Sequence, residues 1–155
     1  MLRFVNGNMF DLDADVLVNT VNCVGVMGCG VALAIKQRYP EIYRRYRADC
    51  KNATIMPGGV YVYRANDDKL ILQFATKDHW RQLSRLVYIQ DGLDALKKIL
   101  QQQPPGTVVA IPALGCGHGG LDWDTVKAMI ESHLSDLDHL DIHVFQPRDS
   151  RQLGE

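Results

Sequence analysis

The sequence predicts an α/β sandwich built on a mixed β-sheet, and three observations lead there. Short apolar strand-like runs alternate along the chain with segments of helical period, the order that lays helices onto a sheet. The apolar residues of Val16-Leu17-Val18 are consecutive rather than alternating, as in a strand covered on both faces. Two glycine-rich loops each follow a strand and precede a helix, where open α/β sheets form their crevices, outside the carboxyl ends of the strands. The chain has 155 residues, 46% of them hydrophobic, enough for one domain with a real core.

Met1 to Val5 is a short apolar opening read as the first strand, and it runs into the Asn6-Gly7 turn. Val16 to Asn19 is the second, buried strand, followed by the first glycine loop, from Asn19 to Gly30. Val31 to Tyr39 reads as a helix stopped at Pro40, which can itself open the next helix, Glu41 to Cys50. After Gly58-Gly59, Val60 to Tyr63 and Leu70 to Ala75 read as strands of a hairpin whose polar tip is Asn66-Asp67-Asp68. Thr76 to Arg81 is a polar loop. Leu86, Ile89, Leu93, Leu96 and Leu100 then step by three and four along an amphipathic helix ended by Pro104-Pro105-Gly106. Val108 to Pro112 is a strand leading to the second glycine loop, Asp122 caps a helix to about Leu134, and Ile142 to Phe145 is the last strand. The domain is expected over residues 1–147, with 148–155 a C-terminal tail.

Composition removes several classes of function. No signal peptide and no apolar run near the ~20 residues of a membrane span are present, so a cytoplasmic protein without a membrane partner is expected. The four cysteines, Cys23, Cys29, Cys50 and Cys116, lack paired zinc spacing and read as free thiols, with no metal site expected. A net charge of −1 excludes a general polyanion binder, so any nucleic-acid contact must be local. Arg44, Arg45, Arg47 and Lys51, or Arg81 and Arg85, are the local candidates, and a solvated helix face explains either group equally well.

The stretch from Val108 to Trp123 carries the chemistry: strand, then Gly115-Cys116-Gly117-His118-Gly119-Gly120, then helix. Closely spaced glycines expose backbone N–H groups, and beside a helix N-terminus they make an anion site of the kind that cradles phosphates. The alternative is a plain surface loop. A P-loop is excluded, because Leu121 and Asp122 stand where Lys and Ser or Thr are required. Gly115, Gly117 and Gly120 match dinucleotide-fingerprint spacing, but too few βα units follow for a Rossmann domain. Two glycine loops side by side would grip a diphosphate from both sides.

Asn6-Gly7-Asn8-Met9-Phe10, Val18-Asn19-Thr20-Val21-Asn22 with Gly28-x-Gly30, and the Gly115 to Gly120 loop together resemble the macrodomain family. That resemblance runs from Arg3 to Phe145 and implies an ADP-ribose-binding, three-layer α/β/α fold with a central mixed sheet. Thr76-Lys77-x-His79-Trp80-Arg81 and Gly117-x-Gly119-Gly120-Leu121-Asp122-Trp123 narrow it to one branch. The branch contains terminal ADP-ribose protein glycohydrolase and the DarG antitoxin macrodomains, which remove ADP-ribose from DNA bases. Val21 to Gly30 and Gly119 to Trp123 are similar to the latter almost letter for letter.

The resemblance implies roles for the matching residues. Asn8, where many macrodomains have Asp, would accept from the adenine amino group through an uncharged and weaker bond, and the Met9 N–H would reach an adenine ring nitrogen. Asn22, paired with Asn19, would orient the distal ribose, although an Asx turn at a strand end is a common use of Asn. Gly28, Gly30 and Val31, with Pro112, Leu114, Gly115, Cys116, Gly117, Gly119 and Gly120, would enclose the rest of the ADP-ribose. A bulky residue at Gly119 or Gly120 is expected to block the diphosphate without unfolding the domain. Lys77 is the candidate catalytic residue, its amine acting on the anomeric carbon of the distal ribose or stabilising charge that develops there. His118 is the second candidate, for proton transfer, and His79, Trp80 and Arg81 are candidate DNA contacts. No cofactor is implied.

One position departs from the branch. The protein glycohydrolase pairs its lysine with an acidic residue where this chain has Gly119, which argues against chemistry copied from the glutamate-specific enzyme. The implied function is removal of ADP-ribose from nucleobases of single-stranded DNA by a monomer, countering a DNA ADP-ribosyltransferase toxin. The alternatives are hydrolysis of ADP-ribosyl esters, on protein Glu or Asp or on O-acetyl-ADP-ribose, and non-catalytic ADP-ribose reading. Lys77 weighs against the reader, and Gly119 with the run to Trp123 weighs for DNA.

Overall fold

The structure, a computed structural model, describes residues 1–148. Its elements are β1 (Leu2–Val5), β2 (Val16–Val21), α1 (Gly30–Arg38), α2 (Pro40–Lys51), β3 (Val60–Arg64), β4 (Leu70–Ala75), α3 (Leu86–Gln101), β5 (Val108–Ile111), α4 (Trp123–Leu134) and β6 (Asp141–Phe145). They follow the expected order, with one 3-10 turn over Met9–Asp11. Of the tail expected over residues 148–155, all but Arg148 lies outside the described residues.

Six strands form one sheet in the order β1-β6-β5-β2-β4-β3. Every pair from β1 to β4 is parallel, and β3 runs antiparallel beside β4 as its hairpin partner, so the sheet is mixed. β2 shows why its apolar residues are consecutive. Val16 and Val18 pack with Ile89, Leu93 and Leu96 of α3 and with Val126 and Ile130 of α4. Leu17 and Val21, pointing the other way, pack with Ile35, Ile42 and Tyr46 of α1 and α2. A strand with two covered faces needs apolar residues at both parities, and the layers are therefore α/β/α.

The helices begin and end for local reasons. Pro40 occupies the first position of α2, one residue earlier than expected, where its missing N–H costs nothing. Asp122 caps α4 by accepting the Thr125 N–H at 3.1 Å. Ile89, Leu93, Leu96 and Leu100 of the α3 stripe are fully buried, each costing about 2–5 kcal/mol on truncation to Ala, whereas Leu86 at the helix start is exposed. Gly92 lets α3 lie close on the sheet, since a Cβ there would enter the Phe74 ring. Among the described residues no helix is long and apolar enough to cross a membrane.

Parallel strands point the same way, so β1, β2, β4, β5 and β6 all deliver their following residues to one edge of the sheet. Asn8 follows β1, Asn22 follows β2, Lys77 follows β4, Pro112 follows β5 and Gln146 follows β6.

Candidate functional site

The five exits surround a cleft of about 1000 Å³, at the upper end of the range for small-molecule sites. Asn8, Met9, Asn22, Gly28, Gly30, Val31, Pro112, Gly115, Gly117 and Gly119 line it, with Lys77, His118 and Trp80. Residues as far apart along the chain as Asn8 and Gln146 thus share one wall because the sheet gathers their strands.

The first glycine loop ends in a helix N-terminus. Gly30, Val31 and Ala32 open α1 on the cleft wall, and the cap residue, Cys29, makes no side-chain cap bond. The first N–H groups of α1 are left for an anion, reinforced by the helix dipole. The second loop differs from expectation here. Asp122 caps α4, and no residue of α4 lines the cleft, so the helix contribution to an anion site comes from α1 rather than α4. The second loop supplies bare backbone instead, folded on itself by Gly120 N–H to the Gly117 carbonyl at 3.1 Å and Leu121 N–H to the Gly115 carbonyl at 3.0 Å. Gly115 and Gly120 take φ of 72° and 77°, the left-handed region that these turns require.

Asn22 makes the Asx turn weighed for it and also lines the cleft. Its Oδ1 accepts the Val24 N–H at 3.1 Å, an Asx turn, and its Nδ2 donates to the Val26 carbonyl at 2.8 Å. An amide nitrogen carries two hydrogens, so one N–H remains on a residue that also lines the cleft. Asn8 is likewise engaged, accepting the Phe10 N–H at 2.9 Å to cap the 3-10 turn, with a second lone pair on the same oxygen.

Four residues expected at the ligand do not line the cleft. Asn19 is fully buried because β2 extends past it to Val21, and its Nδ2 donates to Gln73 Oε1 of β4 at 2.8 Å, inside the sheet. Leu114 is fully buried among the α3 and α4 side chains. The Cys116 thiol points to the Leu114 carbonyl at 3.4 Å, and burial pushes its pKa up to about 11. Gly120 serves the turn. Gly119 does line the cleft, but a Cβ there would run into the Gly115 carbonyl group, its carbon at 2.8 Å, and into the Ser84 hydroxyl. A side chain at 119 therefore breaks packing inside the protein, which overturns the expectation that it would only block a ligand.

Lys77 is half-buried on the wall, and among the described residues no carboxylate pairs with its amine. His118 is exposed on the second loop. Of the expected DNA contacts only Trp80 lines the cleft, while His79 and Arg81 flank it: the His79 and Trp80 ring centroids are 5.3 Å apart, and the Arg81 guanidinium sits 4.6 Å from the Trp80 ring. In the alternative basic group, Arg45 lies over the Tyr63 ring at 4.3 Å, as a helix-face residue does. Sequence reasoning missed Phe10, Cys29, Thr76, Ser84, Phe145 and Gln146, all on the wall. Strand exits are a rule that finds Thr76 and Gln146, whereas Ser84 joins only through its N–H to the Gly119 carbonyl at 3.0 Å. Among the described residues no group of His, Cys, Asp or Glu could hold a metal ion.

Known proteins resemble this chain in sequence and fold. A Thermus aquaticus protein named DNA ADP-ribosyl glycohydrolase is 40% identical over 150 residues, which cover 95% of this chain and 41% of that protein. A Thermosipho africanus protein named as a fusion of DNA ADP-ribosyl transferase and DNA ADP-ribosyl glycohydrolase is 30% identical over 168 residues, covering 97% of this chain and 43% of that protein. Its structure, DarTG in complex with ADP-ribose, superposes with a TM-score of 0.84 at 31% identity, covering 98% of this chain and 44% of that one. The chain thus spans about two fifths of the curated relatives it matches. The macrodomain of Mycobacterium tuberculosis DarG superposes with a TM-score of 0.89 at 39% identity over 96% of this chain and 99% of that one. The family model described as Macro domain matches residues 18–130, a span that runs from inside β2 into α4 and takes in both glycine loops and the Lys77 segment. This chain belongs to the macrodomain family.

Proposed function

We propose that this domain binds ADP-ribose in the cleft and removes it from nucleobases of single-stranded DNA, reversing DNA ADP-ribosylation. The observation that carries the reading is Lys77 at the exit of β4, on the wall of a cleft that two glycine loops also line, in a chain 40% identical to a protein named for this activity. In the reaction, the bond between the anomeric carbon of the distal ribose and the base breaks, and water gives its hydroxyl to the carbon and its proton to the base. The Lys77 amine acts at that carbon, either as a nucleophile or by stabilising developing charge. His118 is the titratable group for proton transfer to the leaving base. Asn22 holds the distal ribose, Asn8 and Met9 the adenine, and the first turn of α1 with the 115–119 backbone the diphosphate.

Exposed Trp80, with His79 and Arg81 packed on it, is the surface where bases flanking the modified nucleotide stack. Gly119 favours DNA over protein as substrate, since the acid of the glutamate-specific enzyme is missing and the backbone leaves it no room. The partners are ADP-ribose, ADP-ribosylated single-stranded DNA and, as in the fused relative, a DNA ADP-ribosyltransferase. The domain acts as a monomer in the cytoplasm.

The test presents ADP-ribosylated single-stranded DNA and ADP-ribosylated protein in parallel and follows release of ADP-ribose. Release from DNA alone is expected. Release from protein alone would give the function to the ester hydrolases, and binding without release from either would leave a reader.

A further inference from the structure

We infer that Tyr46, in the interior of α2 and off the cleft wall, is a positioning residue that fixes the orientation of the Asn22 carboxamide. This rests on the reading of Asn22 and Lys77 as the residues around the distal ribose. Tyr46 is fully buried, and its hydroxyl lies 2.8 Å from the Asn22 carbonyl oxygen and 2.9 Å from Asn22 Oδ1. A phenol has one hydrogen, so the two oxygens share it, and both are held toward α2. The Val24 and Val26 N–H groups converge on the same Oδ1, at 3.1 and 3.4 Å. The amide oxygen is thereby surrounded by donors on the protein side, which leaves the second hydrogen of the nitrogen as the amide's free donor on a residue that lines the cleft.

α2 reaches the loop without intervening chain. Gly25 has φ of 84°, and a Cβ there would stand 3.4 Å from Arg47 Cγ and 3.8 Å from Cys50 Cβ. From Asn22 the connection passes to Lys77 through one residue. The Cys23 N–H donates to the Asp78 carbonyl at 2.8 Å, and its thiol donates to the Lys77 carbonyl at 3.6 Å. Burial, with the Asp78 charge adding to it, pushes that thiol up to about 12, so it stays a donor at neutral pH. Tyr46, Asn22, Cys23 and Lys77 form one continuous bonded path from a helix interior to the two residues proposed at the reacting ribose.

A tyrosine that only fills the core would be replaced by Phe at no cost to binding, which makes Tyr46→Phe the discriminating variant. Titration calorimetry with ADP-ribose and with ADP, which lacks the distal ribose, is combined with single-turnover release from ADP-ribosylated single-stranded DNA. Expected are an ADP-ribose affinity about 5-fold weaker, the loss of one ordinary hydrogen bond, an ADP affinity within about twofold of wild type, and a lower release rate. Equal losses for both ligands, or none, would overturn the positioning role. Wild-type protein that binds ADP and ADP-ribose equally would overturn the distal-ribose reading itself and this inference with it. Should Tyr46→Phe not yield folded protein, Cys23→Ala probes the other end of the path: release several-fold slower with unchanged ADP affinity is expected, and unchanged release overturns the inference.

Discussion

The two glycine loops face one cleft but obtain their shape in opposite ways. The second loop is closed mainly by its own backbone, with turns from Gly117 to Gly120 and from Gly115 to Leu121, and takes one outside bond, from the Ser84 N–H to the Gly119 carbonyl. The first is held from behind by a helix that never reaches the cleft, through Tyr46 on Asn22 and Arg47 against Gly25. One loop rests chiefly on turns within itself, while the other adds to its own Asx turn a brace from residues some twenty positions away. Glycine-rich segments that look alike on paper therefore respond differently to mutation.

The largest effect on stability is expected at Gly119. Gly119→Val drives a side chain into the Gly115 backbone and Ser84, at the upper end of the about 1–3 kcal/mol typical of overpacking or beyond it, read as a lower denaturation midpoint without ligand. An unchanged midpoint with lost binding would mean that the second loop opens to accommodate the side chain. Asn22→Ala is next, at about 1–2 kcal/mol, because it leaves the Val24 and Val26 N–H groups without their shared acceptor, while the Tyr46 hydroxyl keeps the backbone carbonyl of residue 22. It should weaken ADP-ribose more than ADP, and an effect on stability alone would reduce Asn22 to an Asx turn.

Gly117→Ala isolates backbone approach to a ligand. Nothing lies within 4 Å of a Cβ there, so stability should stay within about 0.5 kcal/mol while affinity for ADP-ribose falls. Unchanged affinity would remove the second loop from the diphosphate site. The smallest effect is chemical. At about pH 8 an alkylating reagent should modify exposed Cys29 first, because the half-buried Cys23 and Cys116 thiols, with pKa raised to about 12 and about 11, hold little thiolate there, and burial raises the Cys50 thiol as well. ADP-ribose should protect Cys29, as mass spectrometry of the alkylated chain would show; equal labelling with and without ligand argues against a diphosphate at the α1 N-terminus.

The same contrast explains what the sequence made visible. Apolar runs, the α3 stripe, Pro40 and the Asp122 cap are local signals, and each element stands within about two residues of where those signals put it. The turns of the second loop are local too, and its glycines were readable as a loop that exposes backbone. Asn19 was misplaced because the end of β2 was read too early. Once the strand runs to Val21, Asn19 shares a face with Leu17 and Val21 and must point into the α1/α2 layer, where Gln73 meets it. Gly119 was legible as a glycine but not as a packing one, since Ser84 approaches it from a different segment. Tyr46 had no sequence signature at all, because an aromatic residue on an amphipathic helix looks like core until its hydroxyl finds Asn22.

The proposed reaction is assigned to Lys77, and one comparison tests that assignment directly: release of ADP-ribose from ADP-ribosylated single-stranded DNA by Lys77→Ala, measured beside its affinity for free ADP-ribose. Release should fall by about 10²–10⁴-fold while affinity changes far less, the pattern of a group used mainly in the transition state. Lys77→Arg should be inactive if the neutral amine is the nucleophile and active if charge alone suffices. Full turnover by Lys77→Ala on DNA would contradict the proposed role and leave the cleft without its reaction.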